Sequence, residues 1–343
     1  MFGQLERKRD ALLAVLVSAT LALAPAAAIE APPEQVTVAE LSPGADKAIG
    51  RGLAYLKNSQ HEDGSWGGHY LVAHTALAMM AFMVQGHVPD EGMYGQNMDK
   101  AITFLIVRSK KHDGYFADDT SQVLYQHGYA TLALAEAWGQ SKRPEIGPVL
   151  RRAVDITLRA QGTAGGWGYS PHPGGHDISC TGTAIQGLAS AKEAGILVPE
   201  QALNRARRCT RLYQNERTGF FGYGHGGGGG TLFRSGIGPL SLFLLGDRTS
   251  LMLKRGMTIL LRYPESTFER AGQYHLAHYY AIQASYQAGD VSFNYWYPRI
   301  SKVLLRQQKP DGSWTGTQSA EFSTALSVLI LGVPYRYLPI YQR

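Results

Sequence analysis

Hydrophobic residues along this chain recur three and four positions apart, in segments that glycine-rich turns separate. In the clearest segment, Ala184, Ile185, Leu188 and Ala189 share one face of a helix before Gly195, which has the character of a helix-ending glycine. Runs with the two-residue alternation of a β-strand do not lie between these segments. The pattern therefore predicts an all-α protein.

The helical pattern repeats along the chain, and glycines mark the ends of its units. The helix-ending glycines recur at intervals of 43 to 56 residues and are Gly86, Gly139, Gly195, Gly246, Gly289 and Gly332. Repeats of about 20 to 50 residues usually stack into arrays of supersecondary units. Six helical hairpins, each an outer helix, a turn and an inner helix, predict about twelve helices in two concentric layers.

The first hairpin shows the unit in full. We expect an outer helix from about Asp46 to Gln60, a turn that contains Trp66, and an inner helix from about Leu71 to Gln85. Turns with glycine and an aromatic residue recur in the other hairpins, at Phe116, Trp167, Phe221 and Trp314. The fifth hairpin is the exception, because it keeps only Tyr263-Pro264 and a charged segment.

The first and last turns carry a known repeat. Arg51-Gly52-x-x-Tyr55-Leu56-x-x-x-Gln60-x-x-x-Gly64-x-Trp66 matches the full Gln-Trp repeat of squalene and oxidosqualene cyclases, and Gln308-Lys-Pro-Asp-Gly-Ser-Trp314 matches its core. Residues 46–332 thus resemble the terpenoid cyclase and protein prenyltransferase superfamily, with its prenyltransferase and squalene oxidase repeats. The resemblance implies an α/α toroid whose chemistry takes place in a central cavity, near the N-termini of the inner helices.

The repeat residues themselves have a structural interpretation. The glutamine amide follows the outer helix, where it can bond exposed backbone at the helix end while its flat face lies against the tryptophan. Such contacts would tie one hairpin to the next. We expect Trp66 and Trp314 to be buried where the first and last hairpins close the ring.

The resemblance to squalene-hopene cyclases fails at the catalytic acid. These enzymes carry Asp-x-Asp-Asp-Thr-Ala, and alignment on Thr183-Ala184 places residues 179–182, Ser-Cys-Thr-Gly, opposite the acidic run. Protonation of an isolated double bond needs a strong acid, which neither Ser nor Thr provides. Asp177 lies two residues too early. The standard cyclase reaction is therefore not expected.

The resemblance to prenyltransferase β subunits implies a zinc site with Asp-x-Cys at one inner helix and a histidine at the next. Here Asp177 and Cys180 are three residues apart, and His278 belongs to the fifth hairpin rather than the fourth. Inner helices about 8 to 10 Å apart would hold these groups too far from one ion. We expect no metal cofactor, and zinc remains an alternative in which His176 or His225 substitutes from a loop.

A pocket is expected inside the ring because many of the inward residues are small. They are Ala76, Ala78, Ala130, Ala133, Ala184, Gly187 and Ala325. A mostly apolar cavity with a few polar groups is the usual form of a small-molecule site. The hypothesis is that it holds an isoprenoid or acyl chain, with the polar end of the ligand at the helix N-termini.

The candidate site residues follow from this hypothesis. The candidate catalytic residues are Asp177, Cys180 and His278, and the candidate ligand-binding residues are His127, Thr183 and Ala184. Two functional classes remain open. One is a non-catalytic module for an apolar ligand or a protein partner, and the other is a divergent cyclase or prenyltransferase with rearranged catalytic groups.

A different enzyme class is suggested by Asp118-Asp119, a pair of adjacent carboxylates. Glycoside hydrolases and lyases, whose folds include α/α barrels, use two carboxylates. Two adjacent acids in a turn are more often solvated. The pair is therefore a weaker candidate than the residues at the inner-helix N-termini.

Residues 1–28 are predicted to be a signal peptide. A basic patch at residues 7–9 precedes an apolar run, Ala11–Ala24, which is short for a membrane span, and Ala26-Ala27-Ala28 fits a cleavage site. A linker, 29–45, then leads to the toroid, 46–343. We expect a secreted or periplasmic protein without a transmembrane helix in the mature chain.

Net charge and cysteine content exclude two further features, nucleic-acid binding and a disulfide framework. A net charge of +6 on 343 residues is too small to indicate nucleic-acid binding. The chain has only Cys180 and Cys209, so no disulfide framework holds the fold. Two alternatives remain: the two cysteines form a disulfide bond, or each is a buried free thiol.

Overall fold

The computed structural model describes residues 39–118 and 122–342, and it is all-α as predicted. The predicted signal peptide and most of the linker lie outside the described residues. The described residues form twelve α-helices and no β-strand. The helices are α1 Pro43–Ser59, α2 Leu71–Met83, α3 Gly92–Lys111, α4 Val123–Trp138, α5 Ile146–Arg159, α6 Ile178–Glu193, α7 Glu200–Leu212, α8 Leu232–Leu244, α9 Leu251–Leu261, α10 Tyr274–Ala288, α11 Asp290–Gln307 and α12 Ala320–Leu331. Across the described ranges, no helix combines the length and apolar character that a membrane span requires.

The helices form two concentric layers. The even-numbered helices pack side by side in the order α2, α4, α6, α8, α10, α12 and back to α2, and the odd-numbered helices pack outside them. Every residue of α2 from Val72 to Met83 is buried, whereas α7 buries only one stripe. A helix that is apolar all round belongs inside, and an amphipathic one covers it. The predicted α/α toroid of six hairpins is confirmed.

Small residues bring the inner helices close together. A Cβ atom at Gly128 of α4 would lie 2.9 Å from Thr183 of α6, and one at Gly236 of α8 would lie 2.7 Å from the Ala281 nitrogen of α10. The inward alanines, from Ala76 to Ala325, are buried as well. We had expected small residues to leave space inside the ring, but their effect here is to shorten the distance between helices.

Each of the six turns buries one aromatic side chain. These residues are Trp66, Phe116, Trp167, Phe221, Phe268 and Trp314, and none is more than 2% exposed. The prediction that the fifth turn lacks an aromatic residue was wrong. A 3-10 helix, Glu265–Phe268, replaces the glycine turn and directs Phe268 into the same layer, against His278 and Trp296.

Each turn tryptophan donates two hydrogen bonds, one from its indole and one from its backbone N–H. The Trp66 indole Nε1 donates to the Leu56 carbonyl at 2.7 Å, and its backbone N–H donates to Thr75 Oγ1 at 3.1 Å. Trp167 and Trp314 repeat both bonds with the corresponding residues of their own hairpins. Each buried indole therefore joins its outer helix to its inner helix.

The repeat glutamines tie one hairpin to the next, as expected, although through different partners. Gln308 Nε2 donates to the Gly312 carbonyl at 2.9 Å, within its own turn, and to the Ala48 carbonyl at 2.8 Å, in α1. Gln60, Gln161 and Gln214 make the same pair of bonds. Because Gln308 belongs to the last hairpin and Ala48 to the first, this bond helps to close the ring.

The bore of the ring is filled. Tyr129 of α4 and Tyr280 of α10, which lie on opposite sides of the ring, bring their hydroxyl oxygens within 2.6 Å of each other. Near the C-terminal ends of the inner helices, a 3-10 helix close to the end of the described chain, Pro339–Tyr341, packs on α6 and α10 and buries Tyr341. The end of the ring that remains open is therefore the one formed by the helix N-termini.

Candidate functional site

The open end of the ring holds a cavity of about 710 Å³, which we call the mouth pocket. All six inner helices contribute residues from their N-terminal ends or from the turns before them. The lining residues are Tyr70, Gln122, Tyr125, Tyr169, Ser179, Tyr223, Thr231, Leu232, Phe233, Arg234, Tyr263, Thr267, Arg270, Ala271, Gly272, Gln273, Leu276 and Gln318. The wall is thus mainly aromatic and amide-bearing, with a few aliphatic side chains.

The electrostatic character of the mouth pocket is positive. Arg234 and Arg270 are the charged residues among the described residues of its lining, and none of these described residues is a carboxylate. Helix N-termini carry a partial positive charge and unpaired N–H groups, and they favour anions. Six of them face the same end of this ring. The arrangement favours a ligand with a negatively charged group.

Three residues of the wall have a strained backbone. Tyr70, Gln122 and Gln273 are the N-cap residues of α2, α4 and α10, with φ angles of 51°, 50° and 53°. Residues other than glycine rarely adopt this left-handed conformation. Strain of this kind, on the order of 1 to 3 kcal/mol per residue, tends to gather at functional sites. Its recurrence around one cavity marks the mouth pocket as the candidate site.

Hydroxyl groups of the wall are linked to one another. Gln122 Nε2 donates to Tyr70 Oη at 3.1 Å, and Tyr223 Oη donates to Tyr169 Oη at 3.2 Å. Burial raises the pKa of Tyr125 and of Tyr169 above the usual range for tyrosine. These hydroxyls are therefore neutral at physiological pH and can donate and accept hydrogen bonds to a ligand.

Asp177 is the N-cap of α6, beneath the wall of the pocket. Its Oδ1 accepts the backbone N–H groups of Ser179 at 2.8 Å and Cys180 at 3.0 Å, as well as the Ser179 hydroxyl. The residue is only 3% exposed. Three bonds to one oxygen hold the carboxylate in a capping role, the usual function of an aspartate at this position.

Cys180 is buried in α6 and does not line the mouth pocket. Burial, followed by the nearby Asp177 carboxylate, raises the pKa of its thiol well above the usual range. A thiol in this environment is a poor nucleophile. Cys180 and Cys209 are both free and buried, so they do not form a disulfide in this structure.

His127 occupies the position that threonine holds in the tryptophan turns. Its Nδ1 accepts the backbone N–H of Phe116 at 3.1 Å, just as Thr75 accepts that of Trp66. Its Nε2 donates to the Ala153 carbonyl of α5 at 3.0 Å. Burial lowers the pKa of His127 to about 4. The structure therefore places this neutral imidazole between the layers and not at the mouth.

His278 lies in the corresponding position of the fifth hairpin. Its Nε2 donates to the Thr267 carbonyl at 3.2 Å, and its ring stacks on Phe268 with centroids 5.7 Å apart. Burial lowers the pKa of His278 to about 3. Like His127, it joins a turn to an inner helix, away from the surface of the pocket.

Thr183 and Ala184 lie inside the helix layer. The Thr183 hydroxyl donates to carbonyls of its own helix, those of Ser179 and Cys180, and its side chain packs where α4 and α6 meet at Gly128. Ala184 is 3% exposed. Neither residue lines the mouth pocket. Both residues lie about one turn further along α6 than Ser179, which does line the pocket.

Of the candidate catalytic residues, Asp177 and Cys180 are in contact at the start of α6, whereas His278 lies in the fifth hairpin, on α10. Among the described residues, the group of side chains that could share a metal ion consists of two histidines and a cysteine, and it contains none of Asp177, Cys180 and His278. The prenyltransferase-type ligand set does not fit. The residues that form the pocket, such as Tyr70, Gln122 and Gln273, were missed. The signal available was their position just before an inner helix, where the superfamily places its chemistry.

The fold matches several solved structures. A variant α-1,6-mannanase of Salegentibacter sp. HEL1_6, in complex with α-1,6-mannotriose, is 10% identical, with 85% of this chain and 99% of that chain covered and a TM-score of 0.65. The type II terpene cyclase MstE of Scytonema is 16% identical, with 86% of this chain and 99% of that chain covered and a TM-score of 0.60. A GH76 α-mannanase of Bacteroides thetaiotaomicron is 8% identical, with 85% of this chain and 96% of that chain covered and a TM-score of 0.63. The chain thus shares the α/α toroid fold of terpene cyclases and mannanases.

No protein-family model matches the sequence, and no curated protein matches it either. At these identities the similarity establishes the fold alone. Function has to be argued from the pocket itself.

Proposed function

We propose that the protein binds an amphipathic small molecule in the mouth pocket: an isoprenoid or acyl chain that carries an anionic head group. The observation that carries this proposal is that two arginines, six helix N-termini and several aromatic side chains surround one cavity, whose described lining residues include no carboxylate. An anionic head would lie near Arg234 and Arg270. The chain would lie along the aromatic wall.

The filled bore limits how the chain can be placed. The hydroxyl contact between Tyr129 and Tyr280 blocks the axis of the ring, so a long chain does not thread through it. Leu232, Phe233 and Leu276 offer an apolar surface within the pocket instead. The terpene cyclase MstE has been solved with geranylgeranyl dihydroxybenzoate, an isoprenoid with an acidic aromatic head, and this supports the ligand class.

Binding is favoured over cyclisation by the chemistry of the wall. The ionisable groups of its described residues are arginines and tyrosines, and burial keeps tyrosines such as Tyr125 protonated. Neither type of group protonates an alkene at neutral pH. A ligand carrier or sensor, rather than a divergent cyclase, fits this set of groups. A protein partner would then act on the loaded toroid.

A binding experiment tests the proposal. Farnesyl diphosphate and palmitate are expected to bind the purified protein saturably, and farnesol more weakly, with affinity that falls as salt rises. Arg234→Gln and Arg270→Gln are each expected to weaken binding of the diphosphate by about tenfold, since a bond to a charged group contributes about 1.5 to 3 kcal/mol. Calorimetric titration measures both effects.

The matched control is Arg208→Gln, on the exposed surface of the outer helix α7. It removes the same charge away from the mouth and should leave the affinity unchanged. Equal affinity in wild type and in the double variant of Arg234 and Arg270 would contradict the proposal.

A second candidate function is the binding and cleavage of an α-linked glycan. The variant Salegentibacter mannanase is inactive after replacement of two aspartates that are adjacent in its sequence. Asp118-Asp119 is the only Asp-Asp pair of this chain. Asp118 Oδ2 accepts the N–H of Val72 at 3.2 Å, at the start of α2, while Asp119 lies outside the described residues. Asp118 therefore lies beside the N-terminus of α2, close to the mouth pocket. In sequence, the pair precedes the lining residue Gln122 by a few positions.

This alternative predicts release of mannose oligomers from α-1,6-mannotetraose. Asp118→Asn and Asp119→Asn are expected to lower the rate by at least about 100-fold, the usual share of one acid–base group. Asp113→Asn, an exposed aspartate of the preceding turn, is the control. Chromatography of the products measures the rate, and an absence of turnover by the wild type would rule out the hydrolase.

A further inference from the structure

Three potential metal ligands converge outside the mouth pocket. His176 precedes the N-cap of α6, Cys209 lies on the outer helix α7, and His225 lies in the loop before α8. One ligand atom from each of them lies within 4.8 Å of the other two. The sequence had suggested His176 and His225 only as substitutes around Cys180. The fold brings them to Cys209 instead.

The spacing fits a tetrahedral ion. A zinc ion with a Zn–S distance of about 2.3 Å and a Zn–N distance of about 2.0 to 2.1 Å separates sulfur and nitrogen by about 3.5 Å. Cys209 Sγ and His225 Nε2 are 3.9 Å apart, and one ligand atom of each of the three residues lies within 4.8 Å of the other two. These distances are somewhat longer than those around a bound ion, so binding would draw the three ligand atoms together.

The turn beside this cluster makes room for it. Ser65 and Ser313 precede the tryptophans of the first and last turns, but Gly166 precedes Trp167. A Cβ atom at Gly166 would lie 2.7 Å from Cys209 Sγ and 3.0 Å from His176 Cβ. The serine of the other turns cannot be accommodated here because the two ligand side chains occupy its place.

Tyr213 supports two of the three ligands from behind. Its hydroxyl lies 2.8 Å from His176 Nδ1 and 3.6 Å from Cys209 Sγ, and it also contacts Thr181 Oγ1 at 3.1 Å. Hydrogen bonds of this kind fix the orientation of metal ligands.

We propose that His176, Cys209 and His225 form a zinc site that is independent of the mouth pocket and of its ligand. Two imidazoles and one thiolate are ligands that zinc prefers, and three protein ligands leave a fourth position for water. His225 is exposed, so an ion can enter from solvent, whereas Cys209 is fully buried. A bound ion would join the start of α6, in the third hairpin, to α7 and the loop before α8, in the fourth hairpin.

The test is a metal titration of the full chain after treatment with a chelator. Wild type is expected to bind one equivalent of Zn²⁺, and Co²⁺ in its place should give the absorption band of a cobalt–thiolate bond. Cys209→Ser and His225→Ala should each weaken Zn²⁺ binding by more than about 100-fold, since loss of a supporting residue alone costs about 10- to 100-fold. The band should be absent from Cys209→Ser.

Two controls separate this site from other cysteines and histidines. Cys180→Ser removes the other buried thiol, and His172→Ala removes an exposed histidine close to His176 in sequence. Both should keep the cobalt band and the affinity of wild type. The proposal is overturned if wild type gives no thiolate band, if the band persists in Cys209→Ser, or if Cys180→Ser abolishes it. His225→Ala changes an exposed loop residue, so its result does not depend on an altered core.

Discussion

Replacement of Trp314 by alanine is expected to destabilise the protein by about 3 to 5 kcal/mol, the usual cost of removing a large buried aromatic side chain. Trp314 is 1% exposed, and its indole lies 3.0 Å from the position of a Cβ atom at Gly52 in α1. It thus fills the contact between the last hairpin and the first. Denaturant unfolding followed by circular dichroism measures the change in the free energy of unfolding.

Two further variants calibrate that result. Trp314→Phe keeps most of the apolar volume but loses the bond from Nε1 to the Leu304 carbonyl, so a smaller loss is expected. Leu197→Ala removes a side chain that is 86% exposed and should change the stability by less than about 0.5 kcal/mol. If Trp314→Ala were no more destabilising than Leu197→Ala, the last turn would not close the ring.

Acidification from pH 7 to pH 4 is expected to destabilise the toroid strongly. The pKa of His127 is about 4 and that of His278 about 3, against 6.5 for an unperturbed histidine, because burial penalises the charged ring. Between pH 6.5 and about 4 the unfolded chain therefore binds more protons than the folded one. The free energy of unfolding falls as the pH falls through this window, by on the order of 3 kcal/mol for each such histidine.

A buried carboxyl group opposes this trend in part. Burial raises the pKa of Glu136 to about 7, so this group stabilises the folded state increasingly as the pH falls towards 4.5. His74 and His275 also have pKa values lowered by burial, and they act in the same direction as His127 and His278. Because four histidines lower the stability as the pH falls and this glutamate raises it, the expected net effect of acid is destabilisation.

His127→Thr is the informative variant, because threonine is the residue that accepts the turn N–H in the tryptophan turns. It should fold and lose part of the dependence of stability on pH. His172→Thr, which changes an exposed residue, should keep the dependence of wild type. An unchanged dependence in His127→Thr would mean that His127 is accessible to protons in the folded state.

The fold could be predicted because its signals are local. Glycine-rich turns, helical periodicity and the Gln-Trp repeat each identify one hairpin, and neighbouring hairpins bury their apolar faces by packing on each other. Boundaries were close as well: α1 was expected from Asp46 and begins at Pro43, behind the N-cap Ser42. Phe268 was missed because a 3-10 helix, and not a glycine, shapes its turn.

The site was harder to predict, for physical reasons that particular residues illustrate. A histidine such as His127 offers the same nitrogen atoms to a ligand and to a backbone N–H, so residue type could not separate a metal or substrate ligand from a structural bond. Tyr70, Gln122 and Gln273 adopt a left-handed conformation that their residue types do not favour. Cys209 meets two loop histidines only through the packing of α7 on the third turn.

Photo-crosslinking with a diazirine-bearing analogue of palmitate tests most directly whether the mouth pocket is the ligand site. Peptide mapping by mass spectrometry should find the label on segments around Tyr70, Gln122, Tyr223 and residues 231–234, and competition with farnesyl diphosphate should remove it. Arg270→Gln should lower the labelling, and Arg208→Gln should not. Label confined to the outer helices, or spread evenly along the chain without competition, would contradict a ligand site at this end of the ring.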